Sequence, residues 1–153
     1  MKISTKGHYA VQSLVDIATQ PDKAPVSLGE IALRQELSQN YLEQLFVKLR
    51  KANLVKSVRG PGGGYLLAKP ATQITIGDIF LAVDESLVLT DCVDEGGGGD
   101  IPNCSKANDC KTQTLWAHLG QHFNDILYST TLTNVMAGDY DFSRARAGAP
   151  SAI

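Results

Sequence analysis

Three cysteines carry the softest donor chemistry in this 153-residue chain: Cys92, Cys104 and Cys110. Their separations are twelve and six positions, and none forms the C-x-x-C pair of a zinc ribbon. A thiolate trio in a flexible loop can gather around a soft metal or an iron–sulfur cluster, or it can remain three reduced, quiet side chains. A second set, near residue 40, suits nucleic acid. Asn40 and Gln44 can pair with an adenine edge, Tyr41 adds a hydroxyl, and Glu43 can accept from a cytosine amine while repelling phosphate. Lys48, Arg50, Lys51 and Lys56 are phosphate-type contacts, which position a protein without specifying sequence. Arg59 is a minor-groove probe, because Gly60 and Gly62 beside it let the backbone approach the duplex closely. Catalysis has no comparable set: there are no paired carboxylates, no Ser/His/Asp arrangement and no phosphate loop opening a helix. His8, His118 and His122 read as surface or packing histidines, and the chain is not expected to be an enzyme.

The elements that position these residues follow from capping and periodicity. Ser4 or Thr5 can cap a helix carrying Tyr9, Ala10, Leu14 and Ile17 at helical spacing, ended by Gln20-Pro21-Asp22. Ser27 and Glu30 form a capping box for a short second helix that stops near Glu36. Ser38 is a fresh cap for a third helix through about Ala52, with Leu42, Leu45, Phe46 and Leu49 as its apolar stripe. Two short helices with a polar outer face on the second make a helix-turn-helix. A strand at 54–58, the glycine turn at 59–64 and a strand at 65–68 then supply a wing. Thr75 caps a fourth helix to Val83. A long helix spans about Thr112 to Tyr128, and Leu132 to Met136 add a short turn of helix. The fold class is therefore mainly α with a small β-wing: a winged helix-turn-helix plus a long dimerisation helix.

Bulk properties agree. Hydrophobic residues at 43% and charged ones at 20% are those of an ordinary globular protein. The net charge of −2 conceals a division: ten Lys/Arg against five Asp/Glu up to Pro70, but four against eleven from Ala71 onward. A basic half joined to an acidic half fits a nucleic-acid module with a regulatory part. No apolar segment follows Met1 and no run of 18 apolar residues occurs, so the expected location is cytoplasmic, without membrane contact.

The string YLEQLFVKLRKANLVKSVRGPGGGYLLAK, preceded by MKISTKGHYAV and followed by IGDIFLAVDES, resembles the IscR-type iron–sulfur cluster regulators over about Met1 to Met136. The resemblance implies a homodimer on double-stranded promoter DNA of pseudo-palindromic sequence, controlling iron–sulfur assembly genes. It implies that Asn40, Tyr41, Glu43, Gln44 and Arg59 lie at the DNA surface. It also implies a [2Fe–2S] cluster held by three cysteines and a histidine three positions after the last, with cluster-assembly proteins as donors. Here that position is Gln113, a weaker and harder donor than imidazole, and the first cysteine interval is lengthened by the run Gly96–Gly99. His118, five residues further on, points about 140° away from Gln113 on a helix.

The expected division is a winged domain at 1–84, a Gly/Cys-rich cluster loop at 85–111, a dimerisation region at 112–137 and a flexible tail at 138–153. Trp116, Leu119, Phe123 and Ile126 would bury against a second subunit. Two other readings stand beside this one. The same fold could sense nitric oxide or oxidants through its thiols without a stable cluster, or serve as a winged-helix protein-interaction module.

Overall fold

Ser4 sits in extended backbone and opens helix α1 (Thr5–Ala18), but its side chain does not cap the helix. In this computed structural model, which describes residues 3–21, 24–86, 89–90 and 110–140, a distant carboxylate does that work. Glu85 accepts from the Ser4 N–H at 2.8 Å, and its second oxygen bonds the Ser4 hydroxyl. Negative charge at a helix N-terminus also meets the positive end of the helix dipole.

Helix α2 (Leu28–Gln35) has the expected capping box. Ser27 Oγ accepts from the Glu30 N–H at 3.2 Å, and Glu30 Oε2 accepts from the Ser27 N–H at 2.8 Å. The helix ends at Glu36, whose φ of 54° is left-handed. Helix α3 (Gln39–Lys51) starts after Ser38, whose backbone takes the N-cap role while its side chain makes no capping bond. Gln39 and Asn40, which open the helix, are exposed, so water can satisfy their open N–H groups.

Strands β1 (Val55–Val58) and β2 (Gly64–Leu67) pair antiparallel from Val55 opposite Leu67 to Val58 opposite Gly64. Residues 60–63 turn between them, with the Gly63 N–H bonded to the Gly60 carbonyl at 2.9 Å. Gly60 and Gly62 have φ of 101° and 71°, and Pro61 followed by a positive-φ glycine is the type II pattern. A bridge between Val26 and Tyr65 ties the wing to the segment before α2, and the Tyr65 ring meets Phe46 edge-on at 4.7 Å.

A 3-10 turn at Ala71–Gln73 leads to α4 (Ile76–Ala82), capped by a Thr75/Asp78 box. Helices α5 (Gln113–Ser129) and α6 (Leu132–Ala137) complete the order, with Thr131 and Asn134 boxing α6. The chain then returns to the winged domain. The Ile76 N–H bonds the Thr130 carbonyl and the Leu132 N–H bonds the Ile74 carbonyl, both at 2.9 Å. Leu127 and Leu132 are buried in one core with Leu14, Ile31, Phe46 and Ile79. Thus the C-terminal part of the 112–137 region packs into the winged-helix core, while the start of α5 leaves Leu115 and Leu119 exposed. Tyr128 crosses α4 at Gly77, where an added Cβ would lie 2.5 Å from the ring. Among the described residues, no helix is long and apolar enough to cross a membrane.

Candidate nucleic-acid interface and cysteine site

Successive residues of an α-helix turn by about 100°, so one face of α3 can be read from its bounds. Leu42, Leu45, Phe46 and Leu49 are buried on one side. Asn40, Glu43, Gln44, Lys48, Arg50 and Lys51 are exposed on the other or along its edges. The buried stripe holds the helix down, and the polar stripe faces outward without competing for core partners. Tyr41 is half-buried, its ring edge-on to Tyr9 of α1 at 5.8 Å. Glu43 Oε1 accepts from Gln39 Nε2 at 3.4 Å, which leaves its carboxylate on the exposed face. Lys56 on β1 and Arg59, Gly60 and Gly62 at the wing tip are also exposed.

Two braces fix this surface. Asp16 of α1 is 6% exposed and receives Arg34 Nε at 3.0 Å, Arg34 Nη2 at 2.7 Å and Gln35 Nε2 at 2.9 Å. Burial raises the Asp16 pKa, but the bonds from Arg34 and Gln35 outweigh it and hold the carboxyl below its ordinary range. This fork locks α2, the first helix of the helix-turn-helix, onto α1. The second brace lies at the end of α4. Asp84, in left-handed backbone with φ of 54°, pairs with Lys48 at 2.8 Å and accepts from Lys6 through its carbonyl. The bond from Lys48 lowers the Asp84 pKa. The next residue is Glu85, the cap of α1. Burial raises its pKa, the bonds from Ser4 lower it, and the net shift is downward.

The predicted cysteine set is only partly within the described residues. Cys92 and Cys104 lie outside them. Cys110 is half-buried just before α5, with its Sγ 3.2 Å from Thr112 Oγ1. Gln113 is the first residue of α5, also half-buried, and its N–H donates to the Cys110 carbonyl at 3.2 Å. One turn of backbone therefore brings Cys110 and Gln113 together. No group of three or more metal-ligating side chains occurs among the described residues.

Residues 3–138 match the Rrf2 family model, described as an iron-dependent transcriptional regulator. This chain belongs to the Rrf2 family. It is a DNA-binding transcription regulator with a winged helix-turn-helix, not an enzyme. Relatives include the HTH-type transcriptional regulator IscR of Vibrio vulnificus, 47% identical over 137 residues, covering 90% of this chain and 78% of the relative. IscR of Escherichia coli O1:K1 / APEC is 45% identical over 132 residues, with 86% and 78% covered. Among solved structures, T. potens IscR is 36% identical with a TM-score of 0.69, covering 99% of this chain and 94% of that one. The global cysteine regulator CymR of B. subtilis is 33% identical with a TM-score of 0.73, covering 90% and 98%.

The candidate site of this Rrf2 protein also has features that sequence reasoning passed over. Val47 shares the exposed face of α3, and a helical wheel alone would have placed it there. The Asp84 and Glu85 braces join residues 36 and 81 positions apart, and no local pattern signals such pairings.

Proposed function

We propose that this Rrf2 chain acts as a homodimer that senses iron–sulfur cluster status and controls iron–sulfur assembly genes. The observation that carries the DNA half of the reading is the exposed polar stripe of α3 beside a glycine-tipped wing. Asn40, Tyr41, Glu43 and Gln44 face base edges, Lys48, Arg50 and Lys51 face phosphates, and Arg59 with Gly60 and Gly62 enters the minor groove. The exposed Leu115, Trp116 and Leu119 on the first half of α5 offer a second copy an apolar surface, and two-fold symmetry suits a palindromic site. The functional division is a winged domain to residue 84, a cysteine loop to 111, the α5–α6 region to 137 and a tail beyond.

The sensing half rests on the donor set and on similarity to IscR proteins. Cys92, Cys104 and Cys110 would hold a [2Fe–2S] cluster, loaded by cluster-assembly proteins, with Gln113 as fourth donor through its amide oxygen. The Cys110–Gln113 turn supports that role, since both residues belong to the same backbone turn at the start of α5. When bound, the cluster supplies an oxidant-labile centre. The chain's own residues then carry the consequence. The loop leaves α4 immediately after Asp84 and Glu85, which hold Lys48 of α3 and the N-terminus of α1. Filling the cysteine site would therefore act on Asp84 and Glu85, which set α3 against α1.

The experiment is an absorption spectrum of protein purified without oxygen, paired with promoter binding before and after exposure to air. Visible charge-transfer bands that bleach as binding changes support the cluster reading. A colourless protein that binds promoter DNA overturns it. Binding that then responds to thiol oxidation would instead support direct sensing by the cysteines.

A further inference from the structure

We infer that Val47 reads the C5-methyl group of a thymine in each half-site, which makes it a specificity determinant of the α3 surface. The inference rests on the proposed DNA-facing role of that surface. Val47 is 43% exposed and is the one apolar side chain among the exposed residues of α3. At 100° per residue, Asn40, Gln44, Val47 and Lys51 fall within a sector of about 60°. Val47 projects between the directions of Glu43 and Gln44, one turn further along the helix. It is not an edge residue of the buried stripe, because Leu42, Leu45, Phe46 and Leu49 occupy the opposite side.

A β-branched residue loses side-chain freedom in a helix, and here it also leaves apolar surface in water. Local stability gives no reason for it. Base-edge chemistry does. An isopropyl group neither donates nor accepts a hydrogen bond, so amines, ring nitrogens and carbonyls of the major groove offer it nothing. The thymine methyl is the single apolar feature there, and apolar side chains meet it by contact. Three to four residues of helix advance by about 4.5–6 Å, or roughly one to two base-pair steps. The thymine therefore lies one to two pairs from the base met by Glu43 or Gln44.

The test uses the full chain, with binding sites selected from randomised duplexes. Each thymine of the selected half-site is then replaced by uracil, which removes the methyl and leaves the hydrogen-bonding edge intact. Burial of one methyl-sized group predicts about a fourfold loss of affinity per half-site, or about fifteenfold when both are changed. Val47→Ala should bind the thymine site with a similar loss and be indifferent to uracil at that position alone. Val47 is exposed and Ala is a better helix former, so the variant folds. If Gln44→Ala alters the selected sequence but no thymine shows uracil sensitivity that Val47→Ala abolishes, the inference fails and the α3 surface reading stands. If neither Gln44→Ala nor Val47→Ala alters selection or affinity, both fail.

Discussion

Replacing Asp16 by Asn tests whether the α1–α2 fork holds the helix-turn-helix in place. The substitution conserves shape but removes the charge, and it turns one acceptor into a donor facing the Arg34 guanidinium. Asp16 now accepts three bonds, two of them from Arg34. A hydrogen bond to a charged group contributes about 1.5–3 kcal/mol. The full penalty for breaking a buried ion pair, about 3–5 kcal/mol, does not apply, because the Arg34 side chain is 37% exposed and keeps water. We expect a loss of about 2–3 kcal/mol, seen as a Tm lower by roughly 6–9 °C for a chain of this size.

Acid provides the internal control. The folded-state pKa of Asp16 lies below its unfolded value, so its contribution is complete above about pH 4 and is lost as pH falls through the folded pKa. The gap in Tm between wild type and Asp16→Asn should therefore be full at pH 7 and close as pH falls below about 4. Thermal unfolding followed by circular dichroism at one fixed protein concentration measures both, since oligomerisation makes Tm concentration-dependent. A gap under about 1 kcal/mol at neutral pH, or one that persists unchanged in acid, would refute the fork as a stabilising contact.

Two further substitutions probe the other braces. Lys48→Ala removes both the partner of Asp84 and a proposed phosphate contact, so the slope of log affinity against log salt should flatten by about 0.9 per half-site. Filter binding across a salt series measures it, and an unchanged slope would mean that Lys48 does not reach a phosphate. Gly77→Ala places a methyl against the Tyr128 ring, so α5 must shift from α4 at a cost of about 1–3 kcal/mol. Chemical denaturation measures the loss, and wild-type stability in this variant would show that the ring moves aside freely.

Where a functional element depends on neighbours in the chain, it was legible in the sequence. The Ser27/Glu30 box, the Thr75 cap, the apolar stripe of α3 and the glycine turn between the strands all arise from residues a few positions apart. The helix-turn-helix, the wing and the exposed polar face of α3 follow from them. At the starts of α1 and α3 the same logic overreached: a serine stood at each cap, yet neither side chain makes a capping bond to its helix. At α1 a carboxylate from the far end of the winged domain took the place, and at α3 the open turn is left to water.

The rest is tertiary. Asp16 becomes a buried anion because Arg34 and Gln35 arrive from another helix, and Asp84 and Glu85 become braces because α4 ends beside α1 and α3. The apolar spacing of α5 showed that one face seeks cover, and a second subunit was expected to supply all of it; Phe123 instead packs partly against the chain's own core. Packing divides that face: Leu127 enters the winged-helix core, while Leu115 and Leu119 remain exposed. Periodicity records that a surface is apolar; only the three-dimensional path of the chain decides which neighbour removes it from water.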